Sequence, residues 1–598
     1  MGVPAHLSKH LDDITAAFKS DGFVVQDSCS KNGWIGVSAT FPCTASGTVS
    51  KYKHAYYVEG DHRTMGWLLG FMAEPAVALM TSKFRTNVLA AFLDPALLGS
   101  PLFQKIEELV LRVIGNWVEN MKGDIPSCFD DEINGMCEGC HAANPETKVN
   151  VEDLWEINAG QDALVAHAYT GELFAKVASA NSFRVPLHCN AYAAPGEGGR
   201  HFFGRDYMFP TANVFQDVAC MTIYRPEPSS GEKRYGFVSQ TAPGFVGSIA
   251  GLNSAGVAMG VNMTASHLCN PHRPGLNQLL LNRYVIELAE SARAAVDLVL
   301  DAPRGVTWIY PIADASGDAF VVEAGMRMGK SEKFPYLRSI PHYYRRHLPR
   351  RRYIERMQGK YGNKPPDRGA VVRSAGYSYP TDYITDWNEG LWNAFDRNVF
   401  QKLLDLIGDL VNVISAIFKG RTKSLCPSLR KMAMDFVRGL HYSPASFGER
   451  AYIVPLQGGR GCPGPWYFAP QRESRSDVIV ATNDFISPEM RLTAMDAWTA
   501  ILARDRLDDF QWRYDELNKE LLDALDKHPE GLDENTAWSL INFLDPAGKF
   551  PSYYGTPGNP KVQVHGSVNL CELTERKMKS LFGYYGDDPI TITLPRYL

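Results

Sequence analysis

The chain has 598 residues and a mass of 66.5 kDa, enough for two or more domains and a large core. Hydrophobic residues make up 45% and charged residues 21%, the composition of a soluble globular protein. The formal net charge of −5 argues against a general nucleic-acid binder.

The first residues, MGVPAHLSKHLDDITAAFKS, lack the charged-then-apolar layout of a signal peptide. His6 stands where a myristoylation site needs Ser or Thr. Residues 1–180 read as mostly helical. GDHRTMGWLLGFMAEPAVALM (60–80) and SPLFQKIEELVLRVIGNWVENM (100–121) carry apolar residues three and four apart, and DDEINGMCEGCHAA (130–143) predicts a third helix. From 183 to 263 the period changes to two. FRVPLHCNAYAA, HFFGRDYMF, VACMTIYRP, GFVSQTA, FVGSIAGL and GVAMGVNM are short strands between turn residues, expected to form one antiparallel meander. Asn253-Ser254-Ala255-Gly256 reads as a hairpin turn. One long helix over 276–301 follows, then strands at 306–313 and 318–323. Residues 330–470 read as a largely helical insertion. It holds an Arg-rich run (Arg345-Arg346, Arg350-Arg351-Arg352) and an amphipathic helix at 403–418, too short and polar to span a bilayer. Beyond 475, SDVIVATNDF is a strand, 489–503 and 509–526 are helices, and 565–573 and 589–595 are closing strands. Segregated strands and helices predict an α+β fold. The expected divisions are 1–188, 189–330, 331–475 and 476–598.

The chemistry gathers around Cys189. A thiol near pKa ~8.5 needs a cation or base to become a good nucleophile. Arg205 on the next strand offers a permanent charge, Asp206 can orient an amine or the arginine, and Asn262 offers an amide donor to an oxyanion. Each has a plainer reading by itself: a buried cysteine, a structural Arg-Asp pair, and turn or strand-end duty for Asn253 and Asn262. Cys137 and Cys140 share a helix face and have no second pair at zinc-ligand spacing, so they read as buried thiols. The 11 cysteines are odd in number and scattered, which favours reduced thiols and a cytoplasmic protein. Neither a phosphate-binding loop nor a dinucleotide fingerprint is present, and no cofactor or metal is expected.

In this order along the chain, these segments resemble the N-terminal-nucleophile (Ntn) hydrolases, and most closely peptidase family C45, typified by acyl-coenzyme A:6-aminopenicillanic acid acyltransferase. Choloylglycine hydrolases and penicillin V acylases are its cousins. YYVEGDHRTMGWLLG (56–70) is similar to the family's Gly-Ser-His-Tyr-type signature, and DEINGMCEGCH with DLWEINA (153–159) to the stretch before the nucleophile. HFFGRDYMF is similar to its Gly-Arg-Asn/Asp strand, and GLNSAGVAMGVNM (251–263) to its hairpin of Gly-Leu-Asn and a second Asn. LLLNRYVIELAESARAAVDLVL with IADASGDAFVVEA (312–324) follows the same plan. ATNDF (481–485) is similar to its Thr-Asn-His-Phe strand, and FQWRYDEL (510–517) to its late Arg-Tyr helix. The chain departs from relatives at His188, Asn190-Ala191 and Asp484.

The resemblance implies a four-layer αββα sandwich in which self-cleavage before Cys189 frees an α-amine. Cys189 would then be nucleophile and, through that amine, base. Arg205 would lower the thiol pKa, Asp206 would hold the amine, and Asn262 would serve the oxyanion hole. Asn483 would contact the amine or leaving group, and Arg513 would partner the site carboxylate. The implied activity is hydrolysis or acyl transfer on a small-molecule linear amide. Two other readings stay open: a lysophospholipase-like ester hydrolase, and a non-catalytic relative binding a partner through 330–470. The helix at 403–418 is read as packed or as a homo-oligomer face.

Overall fold

The computed structural model describes residues 3–45, 48–84, 86–87, 101–170, 188–209, 214–228, 232–264, 269–270, 273–327, 367–377, 452–455, 466–469, 474–483, 485–487, 490, 509–543 and 563–598. The helix at 403–418, nearly all of the one at 489–503, most of the Arg-rich run, and Asp484 lie outside the described residues.

Helices fill most of the described part of 1–180, as expected, but the first sixty residues also hold three strands that the helical reading did not name. Helix α1 (Ser8–Ser20) is followed by three antiparallel strands, β1 (Val24–Lys31), β2 (Trp34–Pro42) and β3 (Tyr52–Gly60). Asp61 then caps α2 (His62–Leu79) by accepting the Thr64 N–H. Helices α2, α3 (Pro101–Lys122) and α4 (Ser127–Ala143) agree with the helical segments expected at 60–80, 100–121 and 130–143, and a further helix, α5 (Val151–Thr170), follows them. Helices α2 and α4 touch backbone to backbone. A Cβ at Gly66 or Gly70 would lie 2.0 or 2.1 Å from a carbonyl oxygen of α4, and one at Gly135 or Gly139 would lie 2.0 or 2.1 Å from one of α2. Side chains at these four positions would force the helices apart.

The expected single meander divides between two sheets. Strands β4 (His188–Pro195) and β5 (His201–Met208) form an antiparallel hairpin in a six-stranded sheet. Its other strands are β16 (Ile479–Ala481), β17 (Gln563–Glu572), β18 (Lys577–Tyr584) and β19 (Ile590–Thr593), in the order β16-β4-β5-β17-β18-β19. Strands β6 (Cys220–Pro226), β7 (Phe237–Thr241), β8 (Ala250–Asn253) and β9 (Ala258–Gly260) form the meander proper, in an eleven-stranded sheet. This sheet continues through β11 (Trp308–Ala313) and β12 (Ala319–Ala324), while β10 (Asn262–Met263) pairs with β11. The N-terminal strands join it through a parallel pairing of β3 with β6.

Two further expectations change. The helix over 276–301 is two helices, α6 (Gln278–Leu288) and α7 (Ala292–Asp301), because Ser291 restarts the second by accepting the Ala294 N–H. The supposed insertion contains β13 (Ala370–Ser374), which pairs with β12 and so extends the large sheet. Strands β14 (Tyr452–Pro455) and β15 (Trp466–Ala469) pair with each other.

Side-chain alternation along β4 and β5 feeds two cores. Cys189, Ala191, Ala193, Phe203 and Tyr207 join a core containing Ile223, Val238, Leu252 and Val321 of the large sheet. Tyr192, Ala194, Phe202 and Met208 pack with α8 (Asp509–Lys527) and α9 (Glu534–Phe543), through Leu517, Leu521, Leu525 and Ile541. Cys189 therefore points between the sheets, on a mixed α and β fold built around large sheets. No helix among the described residues is long and apolar enough to cross a membrane.

Beneath α2, Arg283 is buried between Glu132, at 3.1 Å, and Glu287, at 3.0 Å, with its guanidinium 4.1 Å from the Tyr224 ring centroid. His62 lies 3.1 Å from Glu287. Burial opposes the charged imidazole, but Glu287 and Glu132 outweigh it and His62 rises to about 10.

Candidate active site

The β4–β5 register places Cys189 opposite Tyr207, Asn190 opposite Asp206, and Ala191 opposite Arg205. Around this pair of strands the fold brings Asn262 from β10, Asn483 from just beyond β16, and Arg513 from α8. Cys189, Arg205, Asp206, Asn262, Asn483 and Arg513 are each at most 2% exposed.

The Cys189 N–H donates to Asn483 Oδ1 at 2.8 Å, and the Asn483 amide donates to Met263 O at 2.7 Å. Arg513 donates to the same Asn483 oxygen at 2.9 Å, to Cys189 O at 3.3 Å, and to Asn190 Oδ1. Asn262 Nδ2 donates to Cys189 O at 3.4 Å and to Thr482 O at 3.2 Å. Its amide is therefore already engaged by backbone carbonyls in the intact chain.

Arg205 and Asp206 do not form a pair. As neighbours on one strand they point to opposite faces of the sheet. Arg205 turns between the sheets, donating to Val261 O and lying 4.8 Å from the Tyr207 ring centroid. Among the described residues its Nε and Nη1 have no hydrogen-bond partner. Asp206 accepts the Asn190 backbone and side-chain N–H groups, the latter at 2.7 Å. The amide that Asp206 was expected to hold goes instead to Asn483, because cross-strand register sets Asp206 opposite residue 190 and not 189.

Burial pushes the Cys189 thiol above its ordinary value. The Arg205 charge opposes this most strongly, helped by hydrogen bonds from the Met263 backbone and the Asn483 side chain. The expected lowering by Arg205 is thus present in sign but smaller than the desolvation it opposes. Burial also raises Asp206 to about 6, against the Asn190 hydrogen bonds and the charge of Arg513.

Asn253 is a turn residue. Its Oδ1 accepts the Ala255 and Val257 N–H groups at 3.0 and 2.9 Å, and its amide donates to Ile286 O and Ala289 O. Cys137 and Cys140 are buried thiols directed at the Val149 and Gly70 carbonyls. Three groups escaped sequence reasoning. Tyr207 stands across from the thiol, the Met263 amide faces it, and Gly260 gives Arg205 its room: a Cβ there would lie 1.8 Å from Arg205 Nε. The Gly in GVAMGVNM was the only visible signal. Away from this site, Glu197, His528 and Asp533 bring ligand atoms within 4.8 Å of one another, but Asp533 is occupied in accepting the Thr536 N–H at 2.8 Å.

Residues 197–339 match the family model described as acyl-coenzyme A:6-aminopenicillanic acid acyl-transferase, a stretch containing Arg205, Asp206 and Asn262 but not Cys189, Asn483 or Arg513. An uncharacterized protein of Archaeoglobus fulgidus is 30% identical over 271 residues, 44% of this chain and 42% of its own. The chain thus spans less than half the length of that relative. Among solved structures, penicillin V acylase from Agrobacterium tumefaciens is 22% identical over 23% of this chain and 46% of its own, with a TM-score of 0.18. A mutant form of conjugated bile acid hydrolase from Clostridium perfringens is 10% identical over 68% of this chain and 93% of its own, with a TM-score of 0.28. The segment from the β4–β5 turn through β12 therefore matches the acyl-coenzyme A:6-aminopenicillanic acid acyl-transferase family, the family whose motifs this chain resembles.

Proposed function

We propose that this protein is a cytoplasmic Ntn amidohydrolase or acyltransferase, on a four-layer αββα fold, acting on a small linear amide through a Cys189 thioester. The observation that carries this reading is the convergence on Cys189 of Asn483, Arg513, Asn262 and Arg205, from segments far apart in sequence. Free thiols at every described cysteine support a reducing compartment.

In this scheme the His188–Cys189 bond is cut, and the new α-amine, with a reference pKa of ~7.7–8.0, takes the thiol proton. Asn483 Oδ1 already accepts that nitrogen's hydrogen and orients it. The thiolate attacks the amide carbon, and Arg205 favours the charged sulfur. The Met263 amide and Asn262, once Cys189 O moves, face the oxyanion. The C–N bond breaks as the amine returns the proton to the leaving nitrogen. Water hydrolyses the thioester, or a second amine takes the acyl group.

Mass spectrometry tests the processing step. Scaling 66.5 kDa by 188 and 410 of 598 residues gives chains of roughly 21 and 46 kDa. Cys189→Ala should remain one intact chain. An active wild-type protein with no break before Cys189 would reject self-cleavage, and an active Cys189→Ala would reject the nucleophile.

A further inference from the structure

The large sheet buries a carboxylate that the proposed chemistry does not use. Side chains alternate along β12, so Glu323 shares its face with Val321, which packs in the core around Cys189. Glu323 is 0% exposed. Val371 lies opposite it on β13, and Arg373, two residues further on, is its diagonal neighbour on the same face. Arg373 Nε donates to Glu323 Oε1 at 2.7 Å, and its Nη2 donates to Val480 O of β16 at 3.1 Å. Glu323 Oε1 also accepts the Ile486 N–H at 2.8 Å. Glu323 Oε2 accepts the Ser487 N–H at 3.0 Å and the Ser487 hydroxyl.

These bonds grip the edge of the small sheet on both sides of Thr482 and Asn483, at Val480 before them and at Ile486 and Ser487 after. Between the two grips, Thr482 O accepts the Asn262 amide, and Asn483 Oδ1 accepts the Cys189 N–H and Arg513. Glu323 thus bonds the segment, and the segment bonds Cys189. Arg373 comes from the supposed insertion, which is thereby tied to the same segment. The site requires a carboxylate. Donors from Arg373, Ile486 and Ser487 meet both oxygens and fill the roughly four lone-pair positions that an ionised carboxyl offers. An amide of the same size must aim its NH2 either at the Arg373 and Ile486 N–H groups or at the Ser487 N–H. Either choice sets donor against donor, and a backbone N–H cannot turn away.

We propose that Glu323 is a positioning residue for Cys189: it clamps the large sheet to the segment carrying Thr482 and Asn483, and so sets Asn483 against the nucleophile's nitrogen. Its part in a reaction rests on the function proposed above, whereas the placement of Asn483 does not.

Iodoacetamide labelling of Cys189 across pH, read by peptide mass spectrometry, tests the placement without a substrate. The Asn483 side chain hydrogen-bonds the thiol and favours the ionised sulfur. Releasing its segment should therefore move the labelling profile of Glu323→Gln to higher pH, with the rate at pH 8, divided by the plateau rate, falling several-fold. Ser487→Ala loses only the hydroxyl bond and should move the profile in the same direction by less. The double variant should move it by less than the sum of the two, since both changes act at one carboxylate oxygen. Glu132→Gln is the control, because it also strips a carboxylate from a buried arginine but lies away from Asn483. It should lower the urea midpoint and leave the profile in place. A Glu323→Gln protein that loses stability yet keeps the wild-type profile would overturn the positioning role, and additive shifts would overturn action through Ser487. If Glu323→Gln does not fold, Ser487→Ala decides alone, and a wild-type profile there overturns the proposal. Full activity in Cys189→Ala would instead reject the proposed function, while the labelling shift still decides whether Glu323 places Asn483.

Discussion

Gly260, the last residue of β9, is the position where the smallest change should disturb Arg205 most. A methyl group there would lie 1.8 Å from Arg205 Nε and 2.1 Å from Cδ, whereas ordinary contact begins at 3.4 Å. The guanidinium must retreat by the difference, about 1.6 Å, or the strand must bend. Arg205 has no free route, since it is fully buried and donates to Val261 O. Overpacking of this kind destabilises by roughly 1–3 kcal/mol. Displacing a group by ~1 Å near reacting atoms lowers turnover on the order of 10²-fold. Two assays separate these effects: the urea midpoint of Gly260→Ala reads stability, and iodoacetamide labelling of Cys189 across pH reads the thiol. Because Arg205 is the strongest influence opposing the desolvation of Cys189, its retreat should move the labelling profile to higher pH. Gly123→Ala is the control, with nothing among the described residues within 4 Å of its added carbon. A Gly260→Ala protein with the wild-type midpoint and labelling profile would refute the reasoning.

Arg205→Met should move the labelling profile upward and Arg205→Lys should restore it in part, since lysine returns the charge but not the planar guanidinium; identical profiles in all three proteins would mean that Arg205 does not act on the thiol. Asn262→Ala should lower turnover by about 10²–10³ with a small change in melting, and a loss of stability that accounts for the whole effect would leave it a structural residue. Glu132→Gln strips one carboxylate from the buried Arg283 and should destabilise by about 3–5 kcal/mol in urea, while a change below about 1 kcal/mol would reject the pair's importance. His62 sits at about 10 in the folded protein against ~6.5 unfolded, so its contribution is complete below ~6.5 and lost as pH rises to about 10. The melting advantage of wild type over His62→Gln should shrink across that interval, and a constant advantage would show that His62 is not charged.

The hairpin carrying Cys189 and Arg205 was legible because period-two alternation and a Gly-rich turn are local signals. The division of the strands between two sheets was not, since alternation says which residues share a face but not which strand lies alongside. Strand β1 hid for another reason: VVQDSCSK is an edge strand with only Cys29 buried, so it lacks an apolar face. The motif order identified the residues that meet at Cys189, yet it could not assign their bonds. Whether Asp206 reaches residue 189 or residue 190 depends on one step of register. The glycine at 260 stood in plain view in GVAMGVNM, but its role could not be assigned because it arises against Arg205, on a strand far away in sequence. The break in the 276–301 helix was readable in retrospect from Ser291, a capping residue within an otherwise helical run.

The parallel pairing of β3 with β6 has a bearing on timing. It sews the large sheet across the Cys189 peptide bond, with β1–β3 contributed from one side and β6–β13 from the other. A half made alone would end in a bare strand, β3 on one piece and β6 on the other, each a template for wrong partners. Assembly of the sheet therefore belongs to the unbroken polypeptide, and any scission at residues 188–189 comes as a late event, after the seam has closed. Halves produced separately and mixed should aggregate before they find each other, while the same halves born from one chain remain interleaved.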